Sequence, residues 1–278
     1  MLVSAAVVPG PPAFVAELMG SAAHELDDLR QAADQVVSRA LSDLLAAAAD
    51  FLSAESESDL NAGLGLASAS GSDSVQLVVV GPGKPREYDA AGPVTFAGFG
   101  RDVVVPTLVE GRRGERGLPT PIMVARYLAS RDVAAHAAHV DLWASARWIT
   151  TSGVDASVLG DQLRAEGTRV ALILVADGAD CHGPKAPRAE DTRAQAYDDG
   201  VCAALASGEP GQLAQIDVDL GDELGATGQL VWPVLVAAAG GHRIGEVLWA
   251  GAPYGVGWAV ASWRKPDDQC ASNKVDYL

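Results

Sequence analysis

The chain groups two carboxylates, a thiol and an imidazole within six residues, Asp177-Gly178-Ala179-Asp180-Cys181-His182. They follow directly on Arg169–Val175, an apolar run rich in Val, Leu and Ile that predicts a strand buried on both faces. Open α/β sheets place ligands at the carboxyl ends of their strands, so the spacing delivers these groups to such an edge. His182 is the candidate acid/base group, since imidazole titrates nearest neutrality. Asp177 or Asp180 with His182 could enter a metal shell, but ligands this close in sequence need a donor from elsewhere. The plainer alternative is a polar loop whose aspartates accept backbone N–H groups.

Other candidates are weaker. Gly81-Pro82-Gly83-Lys84 follows an apolar run, Val75–Val80, and its exposed amides and lysine could cradle an anion, although the spacing is not that of a P-loop. His136 and His139 share a helical spacing with no acidic partner nearby in sequence, which favours a surface role over zinc. His24 reads as solvent-facing and His242 as a turn residue. Arg112, Arg113 and Arg116 cluster beside Glu110 and Glu115, which neutralise them locally.

The elements that must position these groups read as follows. Leu2–Val8 is a buried strand stopped by Pro9, Pro11 and Pro12. Residues 17–51 carry apolar side chains at helical spacing, and residues 53–74, rich in Ser, Asp and Gly, read as a mobile surface loop. Val103–Val105 is a short strand, residues 121–130 a helix, and 140–149 is ambiguous between helix and strand. Residues 155–167, 191–207, 210–216 and 229–239 are helical in pattern. Residues 243–249 and 256–263 read as a closing antiparallel pair. Alternation of strands and helices predicts a single α/β domain over residues 1–278, with a central mostly parallel or mixed sheet flanked by helices on both faces.

Three stretches, in order along nearly the whole chain, resemble the LigB-like family of class III extradiol ring-cleavage dioxygenases and their Memo-like relatives. Pro9-Gly10-Pro11-Pro12 stands where the family has Pro-His-Pro-Pro after its first strand. The segment from Leu174 to Leu205, with Asp177 to His182 and then Tyr197-Asp198, resembles its Ser-Gly-Asp-x-Ser-His loop and the Phe-Asp helix that follows. Pro253-Tyr254-Gly255-Val256-Gly257-Trp258 resembles its closing Pro-Tyr/Phe-Gly-Val-Gly-Tyr strand.

The resemblance implies Fe(II) held by two histidines and a carboxylate, with open positions for a catechol and dioxygen. This chain has Gly10 at the first histidine and Gly83 at the second, while Glu246 or, second, Asp267 would be the carboxylate. His182 matches the family's acid/base histidine. The resemblance therefore implies a degenerate member without its iron, and no cofactor. Two glycines in place of ligands also suggest an enlarged pocket at Gly10, Pro11 and Gly83, reached by Asp177, Asp180, Cys181 and Tyr254, that binds a small molecule or a protein. Two alternatives stay open: a ring-cleaving dioxygenase with its metal moved to His182, Asp177 and Glu246, or a metal-free enzyme using His182 as acid/base.

A net charge of −16 and a pI near 4.5 argue against nucleic acid and anionic membranes as partners. Three scattered cysteines, Cys181, Cys202 and Cys270, form neither a disulfide framework nor a Cys-x-x-Cys pair, so a cytoplasmic location is expected. The apolar N-terminal run is too short and lacks the basic flank of a signal peptide, and no segment reaches the ~20 apolar residues of a membrane span.

Overall fold

The computed structural model of the chain describes residues 1–61 and 75–266. Its elements in order are β1 (Leu2–Val8), α1 (Ala16–Met19), α2 (Asp27–Asn61), β2 (Val75–Pro82), β3 (Arg86–Tyr88), β4 (Val94–Thr95), β5 (Val104–Val105) and α3 (Thr120–Ala135). Then come α4 (Val140–Ala144), β6 (Arg147–Thr151), α5 (Val154–Ala165), β7 (Arg169–Val175), α6 (Ala194–Ser207), α7 (Pro210–Leu213), α8 (Val218–Glu223), α9 (Trp232–Ala239), β8 (Ile244–Gly251) and β9 (Trp258–Arg264).

Seven strands form one mixed sheet in the order β3-β6-β2-β7-β1-β9-β8. β6, β2, β7 and β1 are parallel neighbours, whereas β3 at one edge and the β9–β8 hairpin at the other run antiparallel. The α/β expectation holds. Strand alternation divides the core in two: Ala6 and Val8 of β1, Val79 of β2 and Ile173 of β7 face α2 and α3. Ala5, Val7, Val80 and Leu172 face α5, α6 and α9. Burying each of these Val and Leu side chains stabilises the fold by roughly 1.5–3 kcal/mol.

The topology also explains where a crevice opens. The chain leaving β1 crosses to α2 on one face, and the chain leaving the adjacent β7 goes to α6 on the other. Neighbouring parallel strands whose connections part to opposite faces leave a gap at their carboxyl ends. The β8–β9 turn lies at that same edge, because β9 runs antiparallel to β1 and starts beside its end, with Val7 opposite Ala261.

Both ends of the first long helix differ from the sequence expectation. The first long helix starts at Asp27 rather than Glu17, because α1 stops at Gly20, whose φ of +57° turns the chain away. A 3-10 segment, Gly20–Leu26, follows, pinned by Arg30, whose Nε donates to the Phe14 carbonyl at 2.8 Å and whose Nη1 donates to that of Ala23 at 2.6 Å. At its other end α2 continues to Asn61, so the first part of the expected 53–74 loop is helix. Ala54, Glu55, Glu57 and Leu60 sustain a helix, and no Gly or Pro interrupts it before Gly63. Residues 62–74 lie outside the described ones. The ambiguous stretch 140–149 resolves into α4 followed by β6.

Candidate functional site

The loop after β7 is tied to the β8–β9 turn by backbone hydrogen bonds. Gly178 N–H donates to the Gly257 carbonyl at 2.7 Å, Gly257 N–H to that of Ala179 at 2.7 Å, and His182 N–H to that of Gly255 at 3.0 Å. This brings the His182 ring to α6, where Nε2 stands 2.6 Å from Asp198 Oδ2. The other Asp198 oxygen accepts Ala179 N–H at 3.1 Å.

Room for that carboxylate exists only because two backbones lack side chains. A Cβ on Gly178 would fall 2.4 Å from Asp198 Oδ1, and one on Gly257 would fall 1.7 Å from Oδ2. Both distances are well inside contact, so glycine is required at each position. The paired side chains are only 12% and 15% exposed. Burial raises the Asp198 carboxyl above its usual range, against the opposing pull of the Ala179 amide and His182. An ionised carboxylate only accepts, so in that state of Asp198 this contact takes the proton on Nε2. Nδ1 has no protein hydrogen-bond partner among the described residues.

His182 and Asp198 line a cleft of about 160 Å³ together with Asp177, Tyr197, Trp232 and Trp258. Its walls are mostly apolar, and the volume is on the scale of cavities that admit one benzene-sized ring. Burial pushes the Tyr197 hydroxyl up to about 12 and the Cys202 thiol, also in the lining, up to about 11. Both stay neutral near pH 7, so Cys202 is no ready nucleophile. Asp177 differs: its Oδ1 accepts Gly10 N–H at 3.0 Å, yet burial outweighs that bond and raises its carboxyl to about 6.

Of the residues given a catalytic, pocket or metal role from sequence, His182 and Asp177 line this cleft. The enlarged pocket expected at Gly10 is absent, since a Cβ there would lie 2.7 Å from Val175 Cγ1. Gly10 is close packing, not vacated space. Pro11 and Gly83 stand outside the lining, and a Cβ on Gly83 would meet Thr150 at 3.3 Å. Gly83 N–H donates to the Thr151 carbonyl, so that amide is not free for an anion. Asp180 turns to Arg188 at 3.6 Å, and Cys181 is buried with Sγ 3.5 Å from the Leu224 carbonyl. Tyr254 donates its hydroxyl to Glu25 at 2.8 Å and packs edge-on against Trp258.

The iron donor set does not fit. Gly10 and Gly83 offer no donor, and Glu246 pairs with Arg39 of α2 at 3.0 Å rather than joining Asp177 and His182. Among the described residues no three His, Cys, Asp or Glu side chains converge. Asp267 and Cys270 lie outside the described residues.

His139 also departs from its expected surface role. It is buried, and its Nδ1 lies 2.9 Å from Asp132 Oδ2, which also accepts Trp143 Nε1–H at 2.7 Å. The acidic partner is the residue seven earlier, brought near because α3 ends at Ala135 and the chain turns at His136. His24 and His242 bond to the Ser21 carbonyl and to Glu209. Arg112 pairs with Asp89 and Glu115 with Arg86, so the ion pairs of the arginine loop are made with partners other than those adjacent in sequence.

Asp198 is the residue to which sequence reasoning gives no role; its one signal is the Tyr197-Asp198 match to the Phe-Asp helix. No helix among the described residues is long and apolar enough to cross a membrane. No family model and no curated protein matches the chain. Among solved structures it is similar to an uncharacterised protein from Escherichia coli K12, at 14% identity and a TM-score of 0.35, over 67% of this chain and 85% of that one.

Proposed function

We propose that this chain is a LigB-like α/β protein that binds a single-ring phenolic molecule in the cleft between β7, α6 and the β8–β9 turn. In this reading His182 exchanges a proton with the ligand hydroxyl, and iron-dependent ring cleavage has been lost. The observation that carries it is the 2.6 Å His182–Asp198 pair on the wall of a ring-sized cleft. Asp198 holds the imidazole in the tautomer that presents Nδ1 as a base, and indole walls supply apolar contact for a ring. The resemblance of the Asp177–His182 and Pro253–Trp258 segments to that family supports the choice of a phenol.

The test is calorimetric titration of catechol into wild type, His182→Ala and Asp198→Asn, with a parallel anaerobic titration of ferrous iron. Catechol binding that weakens in both variants, with no stoichiometric iron uptake, supports the reading. Failure to bind catechol at about 1 mM, equivalent to about −4 kcal/mol, would sink it. Tight stoichiometric iron binding with ring opening in air would replace it with an active dioxygenase using relocated ligands.

A further inference from the structure

The charged groups lining the cleft share one sign. Asp177, Asp198 and Asp199 contribute to the lining, and no Lys or Arg does. Asp198 is hydrogen-bonded by His182, and among the described residues neither of the other two has an ion pair with a cation. Asp177 bonds only to the Gly10 amide through Oδ1, and its Oδ2 has no protein donor among the described residues. Asp199, exposed on α6, accepts the Gln195 amide at 2.8 Å. A partly buried carboxylate without a counter-charge is costly, and a bound cation would relieve that cost.

The apolar lining points the same way through different atoms. Trp232 and Trp258 are 6% and 3% exposed, and the Nε1–H of each is buried without an acceptor. Buried donors of this kind ordinarily have partners, and a ligand oxygen would supply one. Indole faces also attract cations, Trp most strongly of the aromatic side chains.

We infer that the cleft selects an amine-bearing, cationic phenol over neutral and anionic phenols of the same shape. The inference rests on the reading of the cleft as a small-molecule site and adds the charge of its ligand. A protonated amine directed to Asp177 or Asp199 would leave the phenol hydroxyl for His182 Nδ1. A carboxylate on the same tether would meet two like charges in a medium less polar than water.

The experiment compares tyramine, 4-ethylphenol and 3-(4-hydroxyphenyl)propionate by calorimetry against the full chain, at low salt and at about 0.5 M salt. Tyramine should bind about tenfold more tightly than 4-ethylphenol, equivalent to about 1.4 kcal/mol, and the propionate more weakly than either. Asp199→Asn, an exposed change on α6, should shrink the tyramine advantage without altering 4-ethylphenol affinity, and salt should do the same. Equal affinity for all three, or tightest binding of the propionate, overturns the inference while leaving the cleft a phenol site. Binding of none of them overturns the site reading as well.

Discussion

Asp177→Asn should make the protein more stable at pH 8 and change it little below pH 4. The asparagine is isosteric and keeps a carbonyl oxygen for Gly10 N–H, so the 3.0 Å bond survives while the charge goes. Burial raises the Asp177 carboxyl from 3.8 to about 6, so between those values the folded chain holds a proton that the unfolded chain has released. The stability this contributes is fully present below pH 3.8 and is lost as pH rises through about 6. At about 1.4 kcal/mol per pH unit of displacement, the ionised aspartate costs the native state about 3 kcal/mol at pH 8. Relaxation and water entry would reduce this, so the variant should gain about 1–3 kcal/mol there. Urea unfolding of both proteins at pH 4, 6 and 8 measures the gap, and the difference between them cancels the titration of the other carboxylates. A gap that does not grow with pH, or a variant less stable at pH 8, would refute burial as the cause.

Three further outcomes follow from the same geometry. Asp198→Asn should lower catechol affinity roughly tenfold or more, the scale of a lost charge-assisted hydrogen bond, with wild-type circular dichroism; unchanged affinity would remove Asp198 from the site. Gly257→Ala puts a methyl group 1.7 Å from Asp198 Oδ2 and should destabilise the fold by about 1–3 kcal/mol in urea unfolding, while separating the His182 pair; a neutral effect would show that the turn can move. Asp132→Ala strands the buried His139 and Trp143 donors, so thermal unfolding should reveal a loss of about 2–5 kcal/mol, and catechol binding measured below the transition should be unchanged.

Much of the sheet is legible because buried strands announce themselves locally. Leu77–Val80 and Val170–Val175 are unbroken apolar runs, and both lie in central strands. Helix limits are harder: only Gly20 marks the break before α2, and its effect depends on a conformation that composition does not state. At the site, His182 and Asp177 are visible because a loop after a buried strand has a known place in such sheets. Asp198 is not, since its partner is sixteen residues away and its seat is made by two glycines from different segments. Gly10 misleads for a related reason: a small residue signals either empty space or close packing, and only the position of Val175 decides.

The position of β1 sets a schedule for the chain. Residues 2–8 form a strand hydrogen-bonded on one side to residues 170–175 and on the other to 261–264. Neither partner exists when this strand is made, so its two edges stay open until residues 170–175 and then 261–264 have followed. During that interval its open edges are exposed to wrong pairing with other chains. The cleft shares this dependence, because its floor and its closing turn are brought together by the same late pairing.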